Sequence, residues 1–379
     1  MGTETDLEAF LVDFGGARPV DAATAGTDLL YGLSLRTAAA RAASFVDWRN
    51  AAGETLVLAC GFARAREMNA VAGREGATHC LAVFEPLIGA FFDFFSCTLS
   101  IPTFLPTLGD PARERLERLD ERHATLGFGY LAAARDGGEE ALSAMTLPQC
   151  PFRAHVALHM AHVAYDFIWS HELWHAAQGH VGYAATLNVA AMNELPNDRS
   201  DGRLLPLETE ADRLATFWIA DQAFQASTPY LAVPIKLDAA ERLHVIRLTL
   251  VLTAYFWAHL QRIEIALGES DPYAMDSHPA PLLRLHFTLE DANTLARGRR
   301  GLSPREIRAL DERLATELDR LAEATEWFTI LRRDVVFSAD TVEAVRVASA
   351  SIKARREAIE PALATHRFTA ETTATRPRG

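Results

Sequence analysis

Residues 170–180 read SHELWHAAQGH, and within them His171-Glu172-Leu173-Trp174-His175 is an HExxH motif. The segment around it, from Phe152 to Gln178, has no proline or glycine and is mostly Ala, Val, His and aromatic. That composition predicts a long, mostly buried helix ending at Gly179, a residue suited to a helix C-terminus. On a helix, positions i and i+4 lie one turn apart on one face, so the imidazoles of His171 and His175 reach one metal ion. Glu172 sits about 100° further round the helix, placed to act on a metal-bound water rather than on the metal. Zinc lowers the pKa of such a water towards ~7, and a neighbouring glutamate takes its proton.

The third ligand decides the class of site. The metzincin pattern HExxHxxGxxH fails here, because position 181 is Val, Gly179 is one place late and His180 one place early. On a continuous helix His180 faces away from His171, so a polar helix-end residue is expected there rather than a ligand. Downstream, residues 207–215 read LETEADRLA. Glu208 and Asp212 share one helical face. Glu208 can complete a His-His-Glu zinc site with the fourth position open for water. Asp212, one turn on, can accept a hydrogen bond from a ligand imidazole and fix its tautomer. Glu194 with Asp198 is the competing pair, but Pro196 between them breaks the helix that would align them, which favours Glu208.

HELWHAAQGH followed by ETEADRLA resembles the gluzincin peptidases of the CAAX prenyl endopeptidase type and their soluble minigluzincin relatives. Two further segments carry the resemblance. Asn69-Ala70-Val71-Ala72, followed by a strand at 78–84, resembles that family's NAxA and the edge strand that binds substrate. Ser277-His278-Pro279, with Arg284 six residues after the histidine, resembles its HPxxxxR element. The segments occur in family order across residues 69–284. The resemblance implies a zinc-dependent metalloendopeptidase with one Zn2+ per chain, an α+β, predominantly helical fold with a zincin-like core, and an edge strand beside the HExxH helix. It also implies that His278 and Arg284 contact substrate or the transition state. Peptide hydrolysis needs a nucleophile, a polarised carbonyl and an oxyanion partner. Zinc with Glu172 would supply the first two, and His278 or Arg284 is the candidate for the third. Tyr183 is the fallback donor.

The rest of the chain bounds this reading. Its 379 residues are 49% hydrophobic and 23% charged, with a net charge of −13, enough apolar content for a sizeable core. Excess acid argues against nucleic acid as a partner and weakly against docking on anionic lipid; the resemblance implies a protein or peptide substrate. Cys60, Cys80, Cys97 and Cys150 are widely spaced and form no CxxC, which disfavours a cysteine zinc cage and suits a reducing cytoplasm. MGTETDLEAF at the N-terminus has no basic region and does not read as a secretory signal. Two apolar stretches, 80–108 and 248–260, fall short of a membrane span. The first is interrupted by Glu85, Asp93 and three prolines, and the second is bounded by Arg247 and Arg262 and shorter than the ~20 residues a span needs.

Along the chain, 55–60 and 78–84 read as strands and 111–135 as a surface helix. Residues 193–206 read as a loop, and 207–227 and 238–267 as helices. Ser303-Pro304-Arg305-Glu306 is a capping box that opens a charged helix to about Phe328, and Asp340-Thr341-Val342-Glu343 is expected to open another over 341–359. The expected organisation is a helical N-terminal region over 1–54, a metallopeptidase core over 55–300, a C-terminal helical extension over 301–368, and a disordered tail over 369–379.

Other constellations have quieter explanations. His155, His159, His162 and Asp166 share one face of the HExxH helix, as a second metal site or relay, or as buried histidines bonded to their neighbours. Arg297, Arg299, Arg300, Arg305 and Arg308 read as a solvated face. Two other functions fit part of the sequence. A carboxylate-bridged di-iron protein could pair Glu172-x-x-His175 with Glu241-x-x-His244, but leaves His171 unexplained. A zincin fold kept only for binding is excluded by no sequence feature, although the complete HExxH weighs against it.

Overall fold

A computed structural model describes residues 2–18, 27–65, 69–115, 146–189, 191–193, 204–223, 237–266, 281–324 and 332–370. Helix α1 (Gly2–Leu11) and strand β1 (Ala17–Arg18) precede helix α2 (Thr27–Ala42) and a two-residue strand β2 (Trp48–Arg49). Strands β3 (Val57–Ala63), β4 (Ala70–Glu75) and β5 (Thr78–Phe84) follow, and β5 runs directly into helix α3 (Glu85–Leu99). The HExxH helix is α4 (Pro151–Ala177), and a short α5 (His180–Thr186) leads to strand β6 (Ala191–Asn193). Then come α6 (Leu205–Ala223), α7 (Ala239–Ala266), α8 (Pro281–Arg300), α9 (Pro304–Ala324), α10 (Arg333–Val336), α11 (Ala339–Leu363) and strand β7 (Thr369–Ala370). The chain is mostly helical with a small mixed sheet.

The sheet order is β1-β3-β5-β4-β6, with β3 and β5 parallel and the other pairs antiparallel. This corrects one expectation: the strand at 78–84 is central, not an edge. Its seven residues are all buried, as a strand covered on both faces requires. The hairpin partner β4 lies on one flank of it and β3 on the other. Among the described residues the edges are β1 and β6, and β6 follows the HExxH region, pairing Val71 with Asn193.

The two apolar stretches that invited a membrane reading pack on each other. Phe91 and Phe94 of α3 meet Phe256 of α7 at ring separations of 4.5 and 5.3 Å. Among the described residues no helix is long and apolar enough to cross a membrane. The irregular run after α3 is held by one buried cation. Arg153, at the start of α4, donates to the carbonyls of Leu99, Ile101, Phe104, Leu105 and Leu108 at 2.8–3.1 Å. Ile101 O and Leu105 O also accept turn N–H groups from Phe104 and Leu108, and a buried carbonyl left unpaired would cost about 1–3 kcal/mol.

Several boundaries differ from expectation. The box at Ser303 is present, with the Ser303 backbone N–H donating to Glu306 Oε2 and the Glu306 N–H to Ser303 Oγ. Helix α11, by contrast, starts earlier than its acidic run suggested, because Ser338 is the cap and accepts from the Thr341 N–H. Residues 369–370, assigned to the tail, form strand β7 against β2, and Phe368 N–H donates to Ala177 O at the end of the HExxH helix. Most of the expected helix at 111–135, from residue 116, and residues 194–203 of the expected loop lie outside the described residues.

Candidate metal centre

Helix α4 stays regular through the HExxH and then stops at Gly179, whose φ of +77° is left-handed. Glycine is required there twice over. A side chain would strain the backbone, and a Cβ would stand 2.4 Å from the His366 carbonyl carbon. The break lets the chain restart as α5 with His180 at its first position.

His171 and His175 project from consecutive turns of α4 towards Glu208 on α6, which runs antiparallel beside it. Their Nε2 atoms are 2.7 Å apart and lie 3.2 and 3.3 Å from Glu208 Oε2. All three residues are at most 2% exposed. Among the described residues this is the only group of three or more His, Cys, Asp or Glu that converges closely enough to hold a metal ion. Glu172 follows His171 on the helix and is 1% exposed.

The hydrogen bonds behind the two imidazoles fix what they present to each other. His171 Nδ1 is 2.9 Å from Asp212 Oδ1. Asp212 also receives Arg284 Nε on Oδ2 at 2.6 Å and Nη2 on Oδ1 at 2.7 Å. Burial opposes ionisation of Asp212, but the Arg284 guanidinium and the His171 bond hold its carboxyl below the usual carboxylate range. An ionised carboxylate only accepts, so the single proton of a neutral His171 sits on Nδ1 and Nε2 carries a lone pair. His175 Nδ1 is 2.9 Å from His180 Nδ1, and His180 Nε2 is 3.2 Å from Glu210 Oε2. Burial pushes the His180 pKa down to about 4, and burial likewise opposes ionisation of Glu210, yet bonds from His180 and Arg356 bring its carboxyl down to about 2. A neutral His180 donating to ionised Glu210 has a bare Nδ1, which accepts the His175 Nδ1 proton. Two Nε2 lone pairs and a Glu208 carboxylate oxygen then converge with no proton between them. That donor set suits a divalent cation, and its N,N,O composition is one of those found in catalytic zinc sites.

Arg284, expected to contact substrate or the transition state, places its guanidinium on Asp212 through two bonds while 4% exposed. His278 and the competitor Glu194 lie outside the described residues. Tyr183 is buried on α5, 7% exposed.

In the other constellations, His162, Asp166 and Glu241 have partners elsewhere in the fold. His162 Nε2 is 2.8 Å from Thr37 Oγ1, and Asp166 receives Arg41 at 2.8 and 2.5 Å. Glu241 is paired with Arg313 at 2.7 Å, and His244 is fully buried on α7. Neither residue joins the group around His175, so the described residues assemble no di-iron site. Arg297, Arg305 and Arg308 are exposed.

Sequence reasoning missed His180, Glu210 and Arg356. Gly179 was the available signal. Once the helix ends in a left-handed residue, a helical wheel no longer places His180 opposite the metal face. Glu210 stood inside the ETEAD run but off the Glu208–Asp212 face, and Arg356 is far away in sequence.

No curated protein and no solved structure matches the chain. The sequence profile of the Peptidase U49 family matches residues 147–299, which begins just before the HExxH helix and runs through α6 and α7 to the end of α8, and this similarity supports a peptidase family acting on protein or peptide.

Proposed function

We propose that the chain is a zinc-dependent metalloendopeptidase with a zincin-like core, with His171, His175 and Glu208 as metal ligands, Glu172 as general base and Asp212 as the orienting partner of His171. The observation that carries this reading is the convergence of two imidazole nitrogens and one carboxylate oxygen in a buried site, with the HExxH glutamate one residue from a ligand. A bound zinc polarises a scissile carbonyl and acidifies an attacking water.

The chain's own residues supply the rest. Glu172 takes the proton of the attacking water on its carboxylate and returns it to the leaving amine, the base-then-acid duty of an HExxH glutamate. Asp212 holds the His171 proton on Nδ1, which would leave the Nε2 lone pair free to hold a metal. Arg284 keeps Asp212 ionised and immobile from the far side. We assign it this positioning role in place of substrate contact, and leave the oxyanion partner to His278 or Tyr183. Burial of the ligands keeps bulk water away and strengthens every charge interaction in the site.

The test compares proteomes of cells expressing wild type and Glu172→Gln, beside metal analysis of both purified proteins. The reading expects about one zinc per chain in each and cleaved peptides only with wild type. Equal proteomes, or protein that carries no metal after zinc loading, would reject it.

A further inference from the structure

The C-terminal helix α11 lies outside the segment that resembles known peptidases, yet it reaches the site through a continuous chain of polar contacts. Arg356 on α11 donates through Nε to Glu210 Oε2 at 2.7 Å and through Nη2 to Glu210 Oε1 at 3.1 Å. Glu210 accepts from His180, and His180 meets His175. On its other side Arg356 also bonds Glu360, which is clamped by Arg367 at 2.9 and 3.0 Å. The same terminal segment is fastened to the end of the HExxH helix by Phe368 N–H to Ala177 O at 2.9 Å, and His366 backbone fills the space beside Gly179.

We infer that Arg356 is a positioning residue of the metal centre, and that the C-terminal extension orients the ligand His175 through Glu210 and His180. The inference rests on the metal reading above. Its physical content is a count of protons. His175 can offer Nε2 to a metal only with its proton on Nδ1, which needs an acceptor. His180 is that acceptor only if its own proton is on Nε2, which needs an anion in line. Glu210 is that anion, and its two oxygens are fixed by two parallel N–H groups of one guanidinium, a geometry that lysine reproduces only in part. Each link has one proton and one lone pair, so releasing Glu210 frees His180 to rotate or change tautomer and loosens His175 in turn. Partners of this kind contribute about 10–100-fold in metal affinity, and one acting through an intervening ring belongs at the lower end.

The test uses the full-length apo-protein. Zn2+ affinity is measured by competition with a chromogenic chelator, and the visible spectrum is recorded after loading with Co2+. Glu210→Gln and Arg356→Ala should each weaken Zn2+ binding about tenfold and shift the Co2+ bands, while Arg356→Lys recovers part of both. Arg346→Ala, on the same helix but paired to exposed Glu343, should change neither. Glu210→Gln keeps size and shape, so it reports even if Arg356→Ala folds poorly. Wild-type affinity and spectrum in both Glu210→Gln and Arg356→Ala overturn the inference and leave the metal reading standing. Wild type that takes up neither metal overturns both.

Discussion

The two histidines proposed as metal ligands are braced in different ways. Behind His171 stands a compact unit, Asp212 gripped by Arg284, both 3–4% exposed and both inside the segment that matches the peptidase family. Behind His175 stands an extended one: His180, then Glu210, then Arg356 on a helix about 180 residues away in sequence, with side chains of Glu210 and Arg356 25% and 18% exposed. A direct carboxylate in a dry setting holds its imidazole strongly, but a buried charge whose partner is removed becomes a large liability. An imidazole inserted between ligand and carboxylate moves the charge pair out towards solvent. There each contact is weaker, and losing it costs less. The same task is thus done once by a pair inside the matched segment and once by a pair that reaches beyond it.

Removing what both braces serve should have the largest effect. Glu172→Gln should lower peptide hydrolysis by about 10²–10⁴ with zinc content unchanged, as measured on any substrate found in the proteome comparison. His171→Ala and His175→Ala should both abolish zinc uptake. A variant of either that binds zinc normally would remove the premise that the two imidazoles are equivalent ligands.

Next comes the compact brace. Asp212→Ala should weaken zinc binding about 10–100-fold. It also takes from the buried Arg284 its two-bond carboxylate partner, so unfolding in urea should show a loss of about 3–5 kcal/mol. Arg356→Ala, in the extended brace, should cost no more than about 1 kcal/mol by the same measurement, because its pair is partly solvated. Equal losses at the two sites would erase the distinction drawn above.

Combining the lesions sharpens the comparison further. If the two braces act independently, although Glu210 and Asp212 share helix α6, the Asp212→Asn and Arg356→Ala effects on zinc affinity should add within about 0.5 kcal/mol. A larger coupling would mean that the two form one network.

The smallest effect concerns acid. Burial holds His159 at about 4 and His244 at about 3, both away from the centre. Folded values below the unfolded ~6.5 mean that the unfolded chain binds more protons, so this stability is complete above pH 6.5 and is lost as pH falls towards 4. Thermal melts should therefore fall across that window. The His244→Gln protein should show a shallower decline, and an unchanged slope would place the acid sensitivity elsewhere.

How much of this was written in the sequence follows from the range of each interaction. HExxH, ExxxD and the capping box at Ser303 are spacings within one or two helical turns, and a helix turns any such spacing into a fixed geometry. Reading 152–178 as a buried helix, and Glu208 and Asp212 as facing one way from the next, needed only the 3.6-residue period. That the two helices lie antiparallel with those faces in contact was not local information. Nor was the sheet order, which turns the strand at 78–84 from an edge into the centre, because pairing depends on which distant segment, here 57–63, arrives on its free side. Arg284 showed the same limit, since spacing named the residue but only packing showed that its guanidinium meets Asp212. The chain from His175 to Arg356 was least legible of all. It depends on a left-handed glycine that cancels the helical wheel, and on a C-terminal helix whose docking is decided by the whole tertiary fold. Local periodicity determined the candidate ligands, and tertiary packing determined what holds them.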